Sequence, residues 1–262
     1  MIDIKTQFLS DEDADVLYSY YPDLPASVED GCVTCENTGQ YYFRGAWHDC
    51  DCEEQIQLTK LYLNANIGML YQRLDFDDYQ GDAKAKKLAL TYLDNHRKMI
   101  KSGMGLIYSS EEYGTGKSML VSLIAKELVK HGYSVYFSTF NQLIDMFTKG
   151  WRDNKEKARF EGKILKSDVF ILDDLGKEYK TKSNLEESTF DHVLRQRVIN
   201  AKPIFLTTNL DKHHLQQGYG KAVFSLLVER CIFHYVEGRD WRENANNRSL
   251  QEIQNGETRP VL

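Results

Sequence analysis

Nowhere in the 262 residues is there an apolar run of about eighteen, so no segment reads as a membrane-spanning helix. The start, Met1-Ile2-Asp3-Ile4-Lys5, lacks the basic-then-apolar order of a secretory signal, and the cytoplasm is the expected compartment. Internal repeats and low-complexity tracts are missing too. With 42% hydrophobic and 27% charged residues, the composition excludes disorder as the default. Proline is scarce: Pro22 and Pro25 fall early and none follows until Pro203. Cysteine numbers five, four of them between Cys32 and Cys52, and in a reducing compartment that clustering points to metal ligation rather than disulfides. Cys231 stands alone in an apolar stretch and reads as core. Positive charge is nearly missing from residues 1–60, where Lys5, Arg44 and Lys60 face thirteen Asp and Glu, a net of −10 that leaves +4 on the remainder. The first part repels nucleic acid, whereas the second can bind it through local patches.

The length fits one α/β domain with a small module ahead of it. Glu53 to Leu63 has helical spacing, with Ile56, Leu58, Leu61 and Tyr62 apolar, before Asn64-Ala65-Asn66-Ile67-Gly68 interrupts it. The expected division is therefore 1–62 and 63–262. Beyond Gly103, apolar runs at Leu106-Ile107-Tyr108, Val135-Tyr136-Phe137, Val169-Phe170-Ile171-Leu172, Ile204-Phe205-Leu206 and Ile232 to Val236 read as strands. Helical stretches at Lys117 to Lys130 and Leu185 to Val198 alternate with them. Such alternation predicts a parallel sheet covered on both faces, with ligands at the carboxyl ends of its strands.

Glu111-Glu112-Tyr113-Gly114-Thr115-Gly116-Lys117-Ser118 has the form of a P-loop, between a strand and an amphipathic helix. Glycines let backbone N–H groups curl around phosphates, Lys117 meets the β/γ charge of ATP, and the Ser118 hydroxyl suits Mg²⁺; Met119 continues the binding segment. Glu111 replaces the first glycine, at a position that turns the chain out of the strand rather than contacting phosphate. About fifty residues on, Val169 to Leu172 run into Asp173-Asp174-Leu175-Gly176, which delivers two carboxylates at a strand end. Asp173 is assigned to Mg²⁺ and Asp174 to the attacking water. Thr207-Thr208-Asn209 ends another strand, where Asn209 can touch the γ-phosphate or its water.

Together with Asp-Asp-Leu-Gly-Lys-Glu at 173–178, these motifs resemble the DnaC/DnaI-type helicase loaders, a branch of the AAA+ ATPases, over about residues 30 to 245. The resemblance implies an AAA+ P-loop core with a five-stranded parallel sheet and little or no lid domain. It implies an oligomer when ATP is bound, and delivery of a DnaB-type hexameric helicase to single-stranded DNA. By position, Asn209 looks like sensor 1, and Arg242 in Gly238-Arg239-Asp240-Trp241-Arg242 looks like the sensor-2 arginine. The family's arginine finger falls where this chain has Leu226, leaving Arg230 or Arg197 as substitutes; a lost finger can cost about 10³–10⁵ in rate.

Cys32-Val33-Thr34-Cys35 and Cys50-Asp51-Cys52 offer four thiolates in two close pairs, which suits tetrahedral zinc, with His48 as a possible replacement ligand. A redox pair and incidental cysteines are the alternatives. The acidity of the module fits docking of the helicase better than nucleic acid. Between the second and third strands, Lys149, Arg152, Lys155 and Arg159 surround Trp151, a pattern that serves phosphate contact and base stacking and equally describes a solvated helix. Two other functions compete with helicase loading. One is a transposition helper ATPase of the IstB type, against which the cysteine-bearing module argues. The other is a nucleotide-dependent adaptor with negligible hydrolysis, suggested by Leu226 and Glu111.

Overall fold

The computed structural model describes residues 4, 7, 9–25, 31–176, 185–257 and 259–262; Lys177 and Glu178 of the aspartate motif lie outside them. Helix α1 (Asp11–Tyr20), capped by the Ser10 hydroxyl, precedes a two-stranded antiparallel hairpin, β1 (Gln40–Phe43) and β2 (Ala46–Asp49). Helix α2 (Cys52–Asn64) follows, then α3 (Met69–Gln72), α4 (Ala83–Asp94) and α5 (His96–Lys101). The sheet domain continues with β3 (Gly105–Ser109), α6 (Lys117–Lys130), β4 (Val135–Thr139), α7 (Phe140–Lys149) and α8 (Asn154–Phe160). A π-helical stretch at Glu161–Lys166 leads into β5 (Val169–Leu175) and α9 (Leu185–Ile199). The order closes with β6 (Ile204–Thr208), α10 (Lys212–Arg230), β7 (Cys231–Tyr235) and α11 (Arg242–Asn255).

All five strands of the larger sheet are parallel, in the order β4-β5-β6-β3-β7. Side chains of a strand alternate between faces, and here both faces are dry. Leu106, Tyr108, Ile171 and Phe205 pack with α2, α4 and α6 on one face. Ile107, Phe170, Leu172 and Leu206 pack with α7, α9 and α10 on the other. Cys231 is buried in that second core, as its apolar surroundings predict, and burial pushes its thiol up to about 12. The order matters for function. It sets the carboxyl tip of β6 between those of β3 and β5, so that the P-loop, Asn209 and the aspartates arrive side by side.

Residue 62 marks no break. Helix α2 runs through the expected boundary, and Leu58 and Tyr62 before it share one core with Ala65 and Ile67 after it. Asn66, at φ 57, ends the helix as the sequence suggests, but the chain on both sides belongs to the same packing unit. The cysteine-bearing segment is thus joined to the sheet domain by a buried helix.

Arg197 of α9 is fully buried. Its guanidinium donates to the carbonyls of Ile164 (2.7 Å), Ser167 (3.1 Å) and Asp168 (3.3 Å), where the π-helical stretch turns into β5, and to that of Pro203 (2.8 Å) just before β6. Burial lowers its pKa to about 9. A side chain sealed this way cannot reach a neighbouring subunit, which removes Arg197 as a substitute arginine finger.

Candidate nucleotide site and candidate metal centre

At the end of β3, Gly114 and Gly116 take left-handed angles, φ 70 and φ 90, which glycine adopts freely. Close approach reinforces the need. A Cβ at Gly114 would lie 1.8 Å from Asp240 Oδ1, and one at Gly116 would lie 2.6 Å from the Tyr79 ring. Glu111 takes no left-handed angle, so the turn out of β3 forms without the glycine usual there. Lys117 opens α6, almost buried, and its ammonium donates to the Glu112 carbonyl at 3.0 Å and lies 3.4 Å from the Ser110 carbonyl and the Thr115 hydroxyl. A cation held among oxygens above the N-terminus of a long helix is a place for polyphosphate.

The two aspartates sit in a bulge of β5, where the register with β6 slips between Leu172 and Leu175. A bulge re-aims consecutive side chains. Asp173 turns inward, where its Oδ1 accepts the Thr207 hydroxyl at 2.5 Å. Asp174, at φ 58, donates its backbone N–H to Thr207 Oγ1 at 2.9 Å and turns its side chain toward the P-loop. One cavity is lined by Gly114 to Met119, Asp174, Asn209 and Arg242, together with Tyr71 and Tyr113. The amide Nδ2 of Asn209 is buried there without a hydrogen-bond partner among the described residues. An orphaned donor beside a P-loop fits an anionic oxygen of ATP.

Arg230 lies elsewhere. Cys231 pairs with Gly105 at the start of β3, whereas the P-loop leaves beyond Ser109, so about four residues of strand at about 3.3 Å each separate Arg230 from its own P-loop. It pairs with Glu229 at 2.8 Å and is not among the residues that line the P-loop cavity. Leu226 is partly buried against the core.

The four clustered cysteines bring their sulfurs within 4.8 Å of one another, with Cys35 and Cys52 at 3.1 Å and Cys32 and Cys50 at 3.8 Å. The hairpin β1–β2 spans the gap between the pairs, and Cys52 starts α2. Burial raises thiol pKa values, but hydrogen bonds from Cys52 and Cys32 hold Cys35 down at about 6, while Cys52 is pushed up to about 12 and Cys50 also rises. Four thiolates do not coexist at this spacing without a cation. The donor set fits zinc, which would be held by Cys32, Cys35, Cys50 and Cys52 and would neutralise their charge. His48 is outside the cluster: it stacks on Tyr41 and its Nε2 lies 3.2 Å from the Phe43 carbonyl. Protein purified without chelator should carry about one zinc per chain by elemental analysis, and Cys32→Ser or Cys52→Ser should lose it. Metal-free parent protein would exclude the assignment.

Of the cationic residues around Trp151, the structure brings some to solvent and not others. Trp151 is 64% exposed, resting edge-on against Phe147, and Arg152 and Lys155 are exposed beside it. Lys149 pairs with Asp145 at 2.7 Å. Arg159 faces α1, 3.3 Å from the Tyr20 hydroxyl and over its ring.

A family model described as IstB-like ATP binding protein matches residues 52–247, three quarters of the sequence. The chain belongs to that family. Among curated relatives, the protein YdaV of Escherichia coli is 22% identical, covering 68% of this chain and 73% of its own length. The replicative helicase loader DnaC of Escherichia coli is 20% identical, over 64% of this chain and 68% of its own. The replicative helicase loader DnaI of Bacillus subtilis is 24% identical, over 69% and 60%. Among solved structures, that of the DnaC helicase loader superposes with a TM-score of 0.56 at 24% identity, covering 65% of this chain and all of that one. AMPPCP-bound DnaA from Aquifex aeolicus superposes at 0.54 and 19%, covering 72% of this chain and 57% of that one. The fold is thus the expected AAA+ type. For this IstB-like protein, the family match takes in the P-loop, both aspartates, Asn209 and Arg242, and leaves out Cys32, Cys35, Cys50 and the segment after α11.

Several site residues escape sequence reasoning. Tyr79, Trp241 and Arg248 line a second cavity that shares Gly116 and Met119 with the first. Trp241 donates its backbone N–H to the Gly114 carbonyl at 3.1 Å, and Tyr79 donates its hydroxyl to the Thr115 carbonyl at 3.4 Å. Thr207 was visible only as a neighbour of Asn209. Among the described residues no helix is long and apolar enough to cross a membrane.

Proposed function

We propose that the chain is an ATP- and Mg²⁺-dependent loader that delivers a DnaB-type hexameric helicase to single-stranded DNA. The observation that carries the nucleotide part is the convergence of Lys117, Ser118, Asp174, Asn209 and Arg242 on one cavity at the carboxyl edge of the sheet. In this reading the N–H groups of Gly114 to Ser118 bind the β-phosphate and Lys117 spans β and γ. Ser118 lines the cavity and would hold Mg²⁺, with Asp173 reaching the ion only from behind through its Thr207 contact; the ion would supply charge that screens the phosphate oxygens. Asp174 takes the proton of the water that attacks the γ-phosphorus as the bond to the β-γ bridging oxygen breaks, giving ADP and phosphate. Asn209 Nδ2 orients that water or a γ-oxygen, and Arg242 meets the γ-phosphate from the start of α11.

The helicase part is supported by the relatives named as helicase loaders and by the acidity of residues 1–60. In this division of labour the cysteine module docks helicase, and the sheet domain binds DNA through Trp151, Arg152 and Lys155. A DnaB-type helicase should be captured by the full chain in a pull-down. Trp47→Ala, on the exposed face of the hairpin, should weaken capture and leave ATP binding alone. Affinity for single-stranded DNA should fall steeply with salt, and Trp151→Ala should weaken it by roughly 5- to 100-fold, the range for loss of one stacked base. A Trp151→Ala protein with parental DNA affinity, or capture unchanged by every hairpin substitution, would sink this division of roles.

A slow nucleotide switch is the second reading. Leu226 is packed against the core, Arg197 is sealed inside, and Arg230 is paired with Glu229. Hydrolysis that stays negligible with both DNA and helicase present favours that adaptor over a turnover enzyme.

A further inference from the structure

Asp78 is a nearly buried carboxylate on which three arginines converge. Its Oδ1 lies 2.8 Å from Arg259, 2.9 Å from Arg248 and 3.9 Å from Arg44, while Oδ2 accepts the Asp75 N–H at 3.0 Å. Burial by itself would raise its pKa, but the hydrogen bonds from Arg259 and Asp75 and the arginine charges outweigh that and hold it below the usual carboxylate range.

The arginines come from three separate parts of the chain. Arg44 is at the turn of the cysteine hairpin, Arg248 is on α11, and Arg259 belongs to the segment beyond α11. That segment is itself bound to the cysteine module. The Gln55 side chain grips Val261 by both backbone groups, at 2.8 Å and 2.6 Å, and the same Gln55 accepts the Thr34 hydroxyl at 3.0 Å. Arg259 also pairs with Glu252 of α11 and lies over the Phe43 ring.

On the other side of Asp78 is the P-loop. Tyr79 follows directly in sequence, and its ring is the atom group that a Cβ at Gly116 would strike. The chain just upstream is pinned as well: Lys126, on the helix that carries the P-loop lysine, donates to the carbonyls of Tyr71 at 3.1 Å and Gln72 at 2.9 Å. Without the Asp78 charge, three guanidiniums would face one another with no anion at their centre, and they would separate.

We propose that Asp78 is a positioning residue for nucleotide binding, one that holds Tyr79 against the P-loop only while the cysteine hairpin and the segment after α11 are docked. This rests on the reading of the P-loop cavity as the ATP site. Neither Arg44 nor Arg259 lines that cavity or the adjoining one, so an effect of Arg44 on nucleotide affinity acts through Asp78; Arg259 also reaches α11 through Glu252, and a Glu252→Gln protein with parental affinity separates that route from the one through Asp78. By linkage, anything that pulls the hairpin away weakens nucleotide binding, and bound nucleotide holds the hairpin in place to the same degree.

The test titrates a fluorescent ATP analogue with Mg²⁺ into the full chain, at a temperature where circular dichroism shows each variant folded. Asp78→Asn should bind about tenfold more weakly and Arg259→Gln roughly three- to tenfold more weakly, with Arg259→Lys recovering most of the loss. If Asp78→Asn does not fold, Arg259→Gln decides. Parental affinity in the folded Arg259→Gln protein, with only its melting temperature lowered, would mean that the cluster is a structural brace and would overturn the proposal. Failure of the parent itself to bind the analogue would instead remove the nucleotide reading on which it rests.

Discussion

Lys117→Ala should leave a folded protein that no longer binds a fluorescent ATP analogue. The side chain is nearly buried, and its ammonium sits among the oxygens of Glu112, Ser110 and Thr115, so its position is fixed before any phosphate arrives. Two hydrogen bonds from a charged donor contribute roughly 1.5–3 kcal/mol each, which places the loss of affinity at about a hundredfold or more. The glycine turns and the helix N-terminus survive the change, so circular dichroism should be close to that of the parent. An unchanged titration would remove the P-loop assignment and, with it, the reading of the whole cavity.

Asp174→Asn should separate binding from hydrolysis. Asn is nearly isosteric and tolerates the left-handed angle that Asp174 adopts, and the bond to Thr207 uses the backbone N–H, which the substitution keeps. The bulge should therefore persist. An amide cannot accept the proton of the attacking water, so steady-state phosphate release should fall by about 10²–10⁴-fold while the ATP analogue binds as before. Hydrolysis at the parental rate would show that the water-activating group lies elsewhere.

The strands were legible because each is an apolar run, and Val169 to Leu172 in particular could be little else. What the run could not show is that β5 continues through Asp173, Asp174 and Leu175, because those residues are held by β6: Thr207 bonds both aspartates, and the Thr208 hydroxyl donates to the Leu175 carbonyl at 2.7 Å. Pairing with a strand more than thirty residues away overrides the local polarity. Asn64-Ala65-Asn66 ends helix α2 as its composition suggests, but the packing of Leu58 and Tyr62 with Ala65 and Ile67 is not legible there, since periodicity reports the face a helix buries and not what it is buried against. The contacts of Tyr79 and Trp241 were invisible for a related reason. They reach the P-loop from 36 residues upstream and from beyond the last strand: nothing in its segment marks Tyr79, and Trp241 is seen only as the neighbour of Arg242. Arg197 misled in the opposite direction, because an arginine in an amphipathic helix reads as solvated until the leftover carbonyls of the π-helical stretch are known.

The grip of Gln55 on Val261 joins residues 206 positions apart. A contact of that separation is among the last a growing chain can make: at about 5–20 residues per second, a ribosome needs roughly 10–40 s to travel from one to the other. Through that interval Gln55 and Thr34 have no Val261 main chain to hold, and Asp78 lacks the Arg248 and Arg259 guanidiniums that belong to the same late segment. The sheet, whose strands are all made by residue 235, can settle first. The contacts that tie Gln55 and Asp78 to the segment after α11 become available only afterwards, so order of synthesis sets the order in which the sheet and those ties can form.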